Sequence, residues 1–190
     1  MNKIILGLVG PLASGKEAVK KYLVEKYKAK DCKFSTILRD VLNRTAVPVS
    51  RENLQNLSTI LRANFGEDLL AKAIAMDASK LDADIVVIDG VRRPTDIEHL
   101  NKLPNFFLIK IDADSKLRYE RMVKRNENEG DDKKTFEQFL KDHEAEADRL
   151  VPIVMNTAKH TINNNASFED LYKQVDEIVK ELSEKNEIKI

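Results

Sequence analysis

Gly10-Pro11-Leu12-Ala13-Ser14-Gly15-Lys16-Glu17 follows directly on the apolar run Ile4-Ile5-Leu6-Gly7-Leu8-Val9, and the reading of this junction decides the fold. The octapeptide fits the phosphate-binding template G-x-x-x-x-G-K-[ST] at every fixed position except the last. Glycines let the backbone turn around an anion with consecutive N–H groups pointing inward. The helix that follows adds the positive end of its dipole. Gly10, Ala13, Ser14 and Gly15 are therefore candidate contacts to the phosphates of ATP, and Lys16 is a point charge able to reach the outer ones.

Glu17 is the departure, because the template places Ser or Thr there and uses its hydroxyl to ligate Mg²⁺. A carboxylate at this position binds the metal itself, holds it through water, or repels the neighbouring phosphates. The sequence leaves all three open.

The 190 residues fit one globular domain large enough to bury a real core. With 42% hydrophobic and 34% charged residues, the composition argues against a disordered or membrane-embedded chain. No apolar run approaches the roughly 20 residues of a spanning helix, and the first run reads as a strand and not as a signal peptide. A single cysteine, Cys32, excludes an internal disulfide and makes the cytoplasm the default location. Lysine plus arginine and aspartate plus glutamate both total 32, so overall charge gives no reason to expect a nucleic-acid partner.

Helical spacing of Val19, Tyr22, Leu23 and Tyr27 follows the loop. A weak strand at Asp31-Cys32-Lys33-Phe34 comes next, and Ser35 or Thr36 offers the cap of a helix bearing Ile37, Leu38, Val41 and Leu42. Two more helices follow without a strand between them, one capped by Ser50 and closed by Gly66, the other starting at Asp68. Ile85-Val86-Val87-Ile88 is an uninterrupted β-branched run, as a strand buried on both faces of a parallel sheet requires. Residues 106–111 form a second such run, with a short helix expected at 96–103 between the two. Helices are expected from about Ser115 to Asn126, from Thr135, and from near Ser167, the last with an apolar stripe from Phe168 to Leu182. A last strand lies at His160-Thr161-Ile162. Strands alternating with helices define an α/β chain with a parallel sheet covered on both faces.

Asp89 ends a buried strand, at the sheet edge where open α/β folds bind ligands, and is a candidate to hold Mg²⁺ through water. Arg92 and Arg93 follow it and suit bidentate phosphate binding. Arg39 and Arg62, on the first two inserted helices, are either solvated or acceptor-gripping. Arg118, Arg121 and Arg125 recur at i, i+3 and i+7 and share one helical face before a polar, acidic segment. That position suits a lid which brings cations over a moving phosphoryl group, with Arg121 and Arg125 its catalytic members and Arg118 a structural one. Asp131 and Asp132 either pair with these arginines or are solvated. His99, His143 and His160 show no metal-ligand spacing.

Taken together, these residues resemble the P-loop nucleoside monophosphate kinases, the group that includes adenylate kinase and deoxynucleoside monophosphate kinase, and the related dephospho-CoA kinase-like small P-loop proteins. Phe34-Ser35-Thr36-Ile37-Leu38-Arg39 resembles the segment whose arginine grips the acceptor phosphate, which falls on Arg39. Asp89-Gly90-Val91-Arg92-Arg93 resembles the segment carrying a second phosphate arginine, on Arg93 or, in relatives with Asp-Gly-Val-Arg, on Arg92. Asn164 lies in a loop similar to the one that rests against the donor's adenine. The resemblance implies a P-loop NTPase fold, a five-stranded parallel sheet of order 2-3-1-4-5, with an acceptor-binding insertion at 35–77 and a lid at about 121–148. It also implies an ATP- and Mg²⁺-dependent kinase acting on a nucleoside or deoxynucleoside monophosphate. Lys16 and Asp89 would be catalytic with Arg121 and Arg125. Arg39, Arg62, Arg92 and Arg93 would hold the acceptor, and Asp89 and Glu17 the metal. A dephospho-CoA kinase is the alternative enzyme, and a nucleotide-binding regulator with weak turnover, owing to Glu17, is the alternative from another class.

Overall fold

The computed structural model describes residues 3–126, 130–142 and 149–188. Strand β1 (Ile4–Val9) lies at the centre of a five-stranded sheet. Around it stand β2 (Lys30–Lys33), β3 (Ile85–Asp89), β4 (Phe106–Asp112) and β5 (His160–Asn163), in the order β2-β3-β1-β4-β5. Every pairing is parallel. The sheet order and the glycine loop behind β1 make this a P-loop NTPase fold, as the sequence implied.

Alternation along β1 builds the two halves of the core. Ile4, Leu6 and Leu8 face helices α1 (Lys16–Tyr27) and α9 (Phe168–Lys185), packing with Val19, Leu23, Leu171, Val175 and Val179. Ile5 and Val9 face the other way, toward α2 (Phe34–Arg44), α4 (Leu69–Lys80) and α8 (Val151–Met155). Ile85 to Ile88 are all buried, the mark of a parallel strand covered on both faces. Each large side chain taken wholly out of water here contributes about 1.5–3 kcal/mol.

The remaining helices connect these layers. Helix α3 (Arg51–Phe65) starts where Ser50 Oγ accepts a hydrogen bond from Asn53 N and stops at Gly66. It lies with α2 and α4 between β2 and β3 in the chain. Beyond β4 come α6 (Ser115–Arg125) and α7 (Phe136–Asp142).

Two boundaries and one whole element differ from expectation. Helix α2 begins at Phe34 with Lys33 at its cap, because β2 runs into it without a loop and Phe34 is needed in the core. The helix expected at 96–103 is two pieces, α5 (Pro94–Glu98) and a 3₁₀ turn (Leu100–Lys102). Pro94, pre-set for a first helical turn, starts the first piece early. Helix α8 has no counterpart among the expected elements, although Val151, Val154 and Met155 are buried at i, i+3 and i+4 around Pro152.

Candidate phosphate-binding site

Two close approaches shape the loop between β1 and α1. A Cβ on Gly10 would lie 2.2 Å from the carbonyl oxygen of Ile111, so only glycine lets the loop rest on β4. Gly15 has φ 108°, and a Cβ there would meet Asn164 Nδ2 at 2.1 Å. Ala13 also takes a positive φ, 60°. Alternation of handed backbone conformations is what turns successive N–H groups to one side and makes an anion nest. Ser14 N donates to Pro11 O at 3.2 Å, and Ser14 Oγ is buried with no hydrogen-bond partner among the described residues. Lys16 folds back along the loop, its ammonium donating to Gly10 O at 2.6 Å and Pro11 O at 2.9 Å.

Asn164 forms the opposite wall. Its backbone N donates to Asp112 O and its Nδ2 to Ser14 O, each at 2.8 Å. Its Oδ1 accepts from Arg121 Nη2 at 3.4 Å. The residue expected to rest against adenine thus ties the end of β5 to the phosphate loop through its side chain. Arg118, one turn earlier on α6, is buried; it donates from Nε to Ala113 O at 3.0 Å and from Nη1 to Leu12 O at 3.2 Å, and lies over the Phe139 ring. Arg121 is in a different state. Its Nη1 is buried without a hydrogen-bond partner among the described residues, and burial lowers its pKa, with no carboxylate opposing the shift. An arginine keeps its charge under such conditions, so among the described residues this is a cation without a counter-ion beside the loop. Arg125 is exposed at the end of the same helix.

Asp89 ends β3 beside β1, opposite Lys33 of β2. Its Oδ2 accepts at 3.2 Å from Lys20 Nζ, which also binds Glu17 Oε2 and lies 4.0 Å from Asp31 Oδ2. Only 4% of the Lys20 side chain is exposed. Burial works against its charge, but hydrogen bonding to Glu17 and the pull of Asp89 outweigh it and raise its pKa. The two carboxylates expected to hold Mg²⁺ therefore share one ammonium. That donor set does not fit a directly ligated divalent ion, which would have to sit against the lysine's charge. Among the described residues no three His, Cys, Asp or Glu side chains gather as a metal site.

The arginines expected at the acceptor side differ in exposure and pairing. Arg39 and Arg92 are exposed, and Arg93 is partly exposed, 3.3 Å from Glu67 Oε2. Arg62 departs from the expected role: it is buried, donates to Glu67 O, and pairs through Nη2 with Asp96 Oδ1 at 2.9 Å. Asp96 Oδ2 in turn accepts from Arg92 N at 3.0 Å and Arg93 N at 2.9 Å. Arg62 thus braces the turn that presents the arginine pair. His99 Nε2 lies 2.7 Å from Asp68 Oδ2. Hydrogen bonds from His99 and Lys72 hold the Asp68 carboxyl down at about 2. His160 lies 3.9 Å from Glu181, and His143 is outside the described residues, as are parts of the expected lid at 121–148. Asp131 is buried, 3.6 Å from Lys134, while Asp132 is exposed.

A cavity of about 300 Å³ opens on the β4 side of the loop, lined by Pro11, Lys110, Asp112, Arg118, Val151 and Met155 among others. It lies across β1 from the Arg92–Arg93 turn, which follows β3.

Sheet order, loop and flanking helices define a P-loop kinase-like fold. No family model matches the chain. A UPF0200 protein of Sulfurisphaera tokodaii is 29% identical over 178 residues, covering 94% of this chain and 97% of that one. Another, from Methanococcus maripaludis, is 25% identical over 180 residues, covering 94% and 97%. Among solved structures, TT1252 from Thermus thermophilus superposes with a TM-score of 0.61 at 16% identity, covering 96% of this chain and 99% of that one. Shikimate kinase from Bacteroides thetaiotaomicron does so with a TM-score of 0.61 at 12% identity, covering 95% and 98%. At these identities the structural likeness speaks for the fold.

Proposed function

We propose that this chain is an ATP-dependent phosphotransferase whose acceptor is a nucleoside or deoxynucleoside monophosphate. The observation that carries the reading is Arg121, a guanidinium whose buried Nη1 has no partner among the described residues, linked through Asn164 to the phosphate loop. A cation held in that state is stabilised by an anion arriving from outside, and the loop amides beside it are built for phosphate.

In this reading the amides of residues 13–17 and Lys16 hold the donor's phosphates. Lys16 exchanges its bonds to Gly10 O and Pro11 O for phosphate oxygens. Arg39 with Arg92 or Arg93 holds the acceptor. An acceptor phosphate oxygen forms the new bond to the γ-phosphorus as the bond to the β–γ bridging oxygen breaks, and ADP leaves with that electron pair. Arg121 and Arg125 balance the charge of the moving group, so catalysis is positioning and neutralisation without a protein nucleophile. Mg²⁺ brought with the nucleotide would supply further charge neutralisation. Among the described residues no helix is long and apolar enough to cross a membrane.

The test is ADP release measured with ATP and a panel of nucleoside and deoxynucleoside monophosphates, dephospho-CoA and shikimate. The last is included because a shikimate kinase shares the fold. One monophosphate is expected to raise turnover above the ATP-only rate. Stimulation by dephospho-CoA or shikimate alone would replace this reading with a hydroxyl acceptor. Nucleotide binding with no acceptor effect would favour the regulator, in which case Glu17→Ser is expected to raise turnover.

A further inference from the structure

We propose that Lys20 is the resident counter-ion of Glu17 and Asp89, occupying with its ammonium the place on these two carboxylates that a directly bound divalent ion would need. Without nucleotide, the chain therefore has no divalent-cation site at its phosphate loop. The inference deepens the phosphotransferase reading and rests on it for its meaning, though not for its test.

Three observations carry it. Lys20 lies one turn after Lys16 on α1, yet its side chain is buried while Glu17 beside it is largely exposed. Its Nζ touches Glu17 and Asp89 together and has Asp31 at the edge of the same shell. Sheet register enforces the meeting, since Asp89 ends β3 next to β1 and faces β2, which follows α1 directly. A charge placed in so little water persists only with its partners in place.

The arrangement also answers the question posed by Glu17. With Lys20 bonded to it, the carboxylate at the position of the usual hydroxyl is neutralised from within the chain. Lys16, Lys20 and Lys33 balance Glu17, Asp89 and Asp31, so the loop mouth presents no net negative charge to a triphosphate. A divalent ion carried by the nucleotide would then need no side-chain ligand from Glu17 or Asp89.

The experiment uses the full chain without nucleotide and the metal alone as probe. Mn²⁺ binding is followed by electron paramagnetic resonance and calorimetry for wild type, Asp89→Asn, Lys20→Met and the Lys20→Met/Asp89→Asn double variant. Wild type and Asp89→Asn are expected to bind Mn²⁺ equally weakly. Lys20→Met, which keeps an unbranched stem in the same channel, is expected to bind one Mn²⁺ about tenfold tighter or more, and the double variant to lose that gain. Wild-type affinity that Asp89→Asn abolishes would overturn the proposal, as would a folded Lys20→Met with no gain. A second measurement needs no variant: the ¹⁵Nζ resonance of the Lys20 ammonium is expected to stay unchanged when Mg²⁺ is added alone, and its displacement would overturn the proposal. No arm contains ATP or an acceptor, so failure here leaves the turnover reading standing, and failure of turnover leaves this result standing.

Discussion

Arg62 and Asp96, separated by 34 positions in sequence, form a buried ion pair at 2.9 Å that joins helix α3 to helix α5. The second oxygen of Asp96 accepts the backbone N–H groups of Arg92 and Arg93. One carboxylate thus fixes both the inserted helix and the turn that bears two candidate acceptor arginines. Removing one partner leaves the other charge buried and alone. Arg62→Met and Asp96→Leu are each expected to cost about 3–5 kcal/mol in urea unfolding. The double variant is expected to cost less than their sum. Single variants within about 0.5 kcal/mol of wild type would show the pair to be dispensable.

Gly15 cannot carry a side chain without strain in two respects: its φ is 108°, and a Cβ there would stand 2.1 Å from the amide nitrogen of Asn164. Gly15→Ala is expected to cost about 1–3 kcal/mol in thermal or urea unfolding and to abolish ATP binding in a nucleotide titration. An alanine variant that binds ATP as wild type does would show that the loop does not depend on this conformation.

Arg118 and Arg121 are one turn apart on α6, and their replacements are expected to have opposite signatures. Arg118 serves two backbone carbonyls, so Arg118→Ala is expected to destabilise the fold by about 1–3 kcal/mol. Arg121 has a buried nitrogen with no partner among the described residues, so Arg121→Ala should leave stability unchanged or raised while lowering turnover about 10²–10³-fold. Unfolding curves and steady-state rates on both variants decide the matter. Equal loss of stability in the two would remove the distinction.

Cys32 is buried on β2, and burial, with Asp77 and Asp31 adding to it, pushes its thiol up to about 11. At pH 9.0, where an ordinary cysteine is half thiolate, the native protein should react with iodoacetamide far more slowly than the urea-unfolded chain. A raised thiol pKa stabilises the fold fully below the unfolded value and loses that contribution as pH rises through the folded one. Equal labelling rates in native and unfolded protein would contradict this.

Much of the fold was legible because its signals are local. The β-branched run at residues 85–88, the loop at Gly10 and the apolar stripe of α9 each reveal an element from a short stretch of chain. The site was legible only in part. Lys20 stands three residues after Glu17 and next to buried Val19, a face where a lysine needs a partner, but nothing nearby in sequence names Asp89 as that partner. In the sequence alone Arg62 is either solvated or acceptor-gripping, because an amphipathic helix with an arginine looks the same in either case. Its burial depends on Asp96, which sits in another element.

The sequence by itself determined the strands, most of the helices and the anion-binding turn, since periodicity and glycine placement act through neighbours along the chain. Tertiary structure alone decided which charges are spent and which remain available. Lys20 meets Asp89 across 69 positions and Asn164 meets Ser14 across 150. Electrostatic pairing acts over ångströms in space and carries no period along the chain, so folding had to bring those residues together before their roles could be told apart.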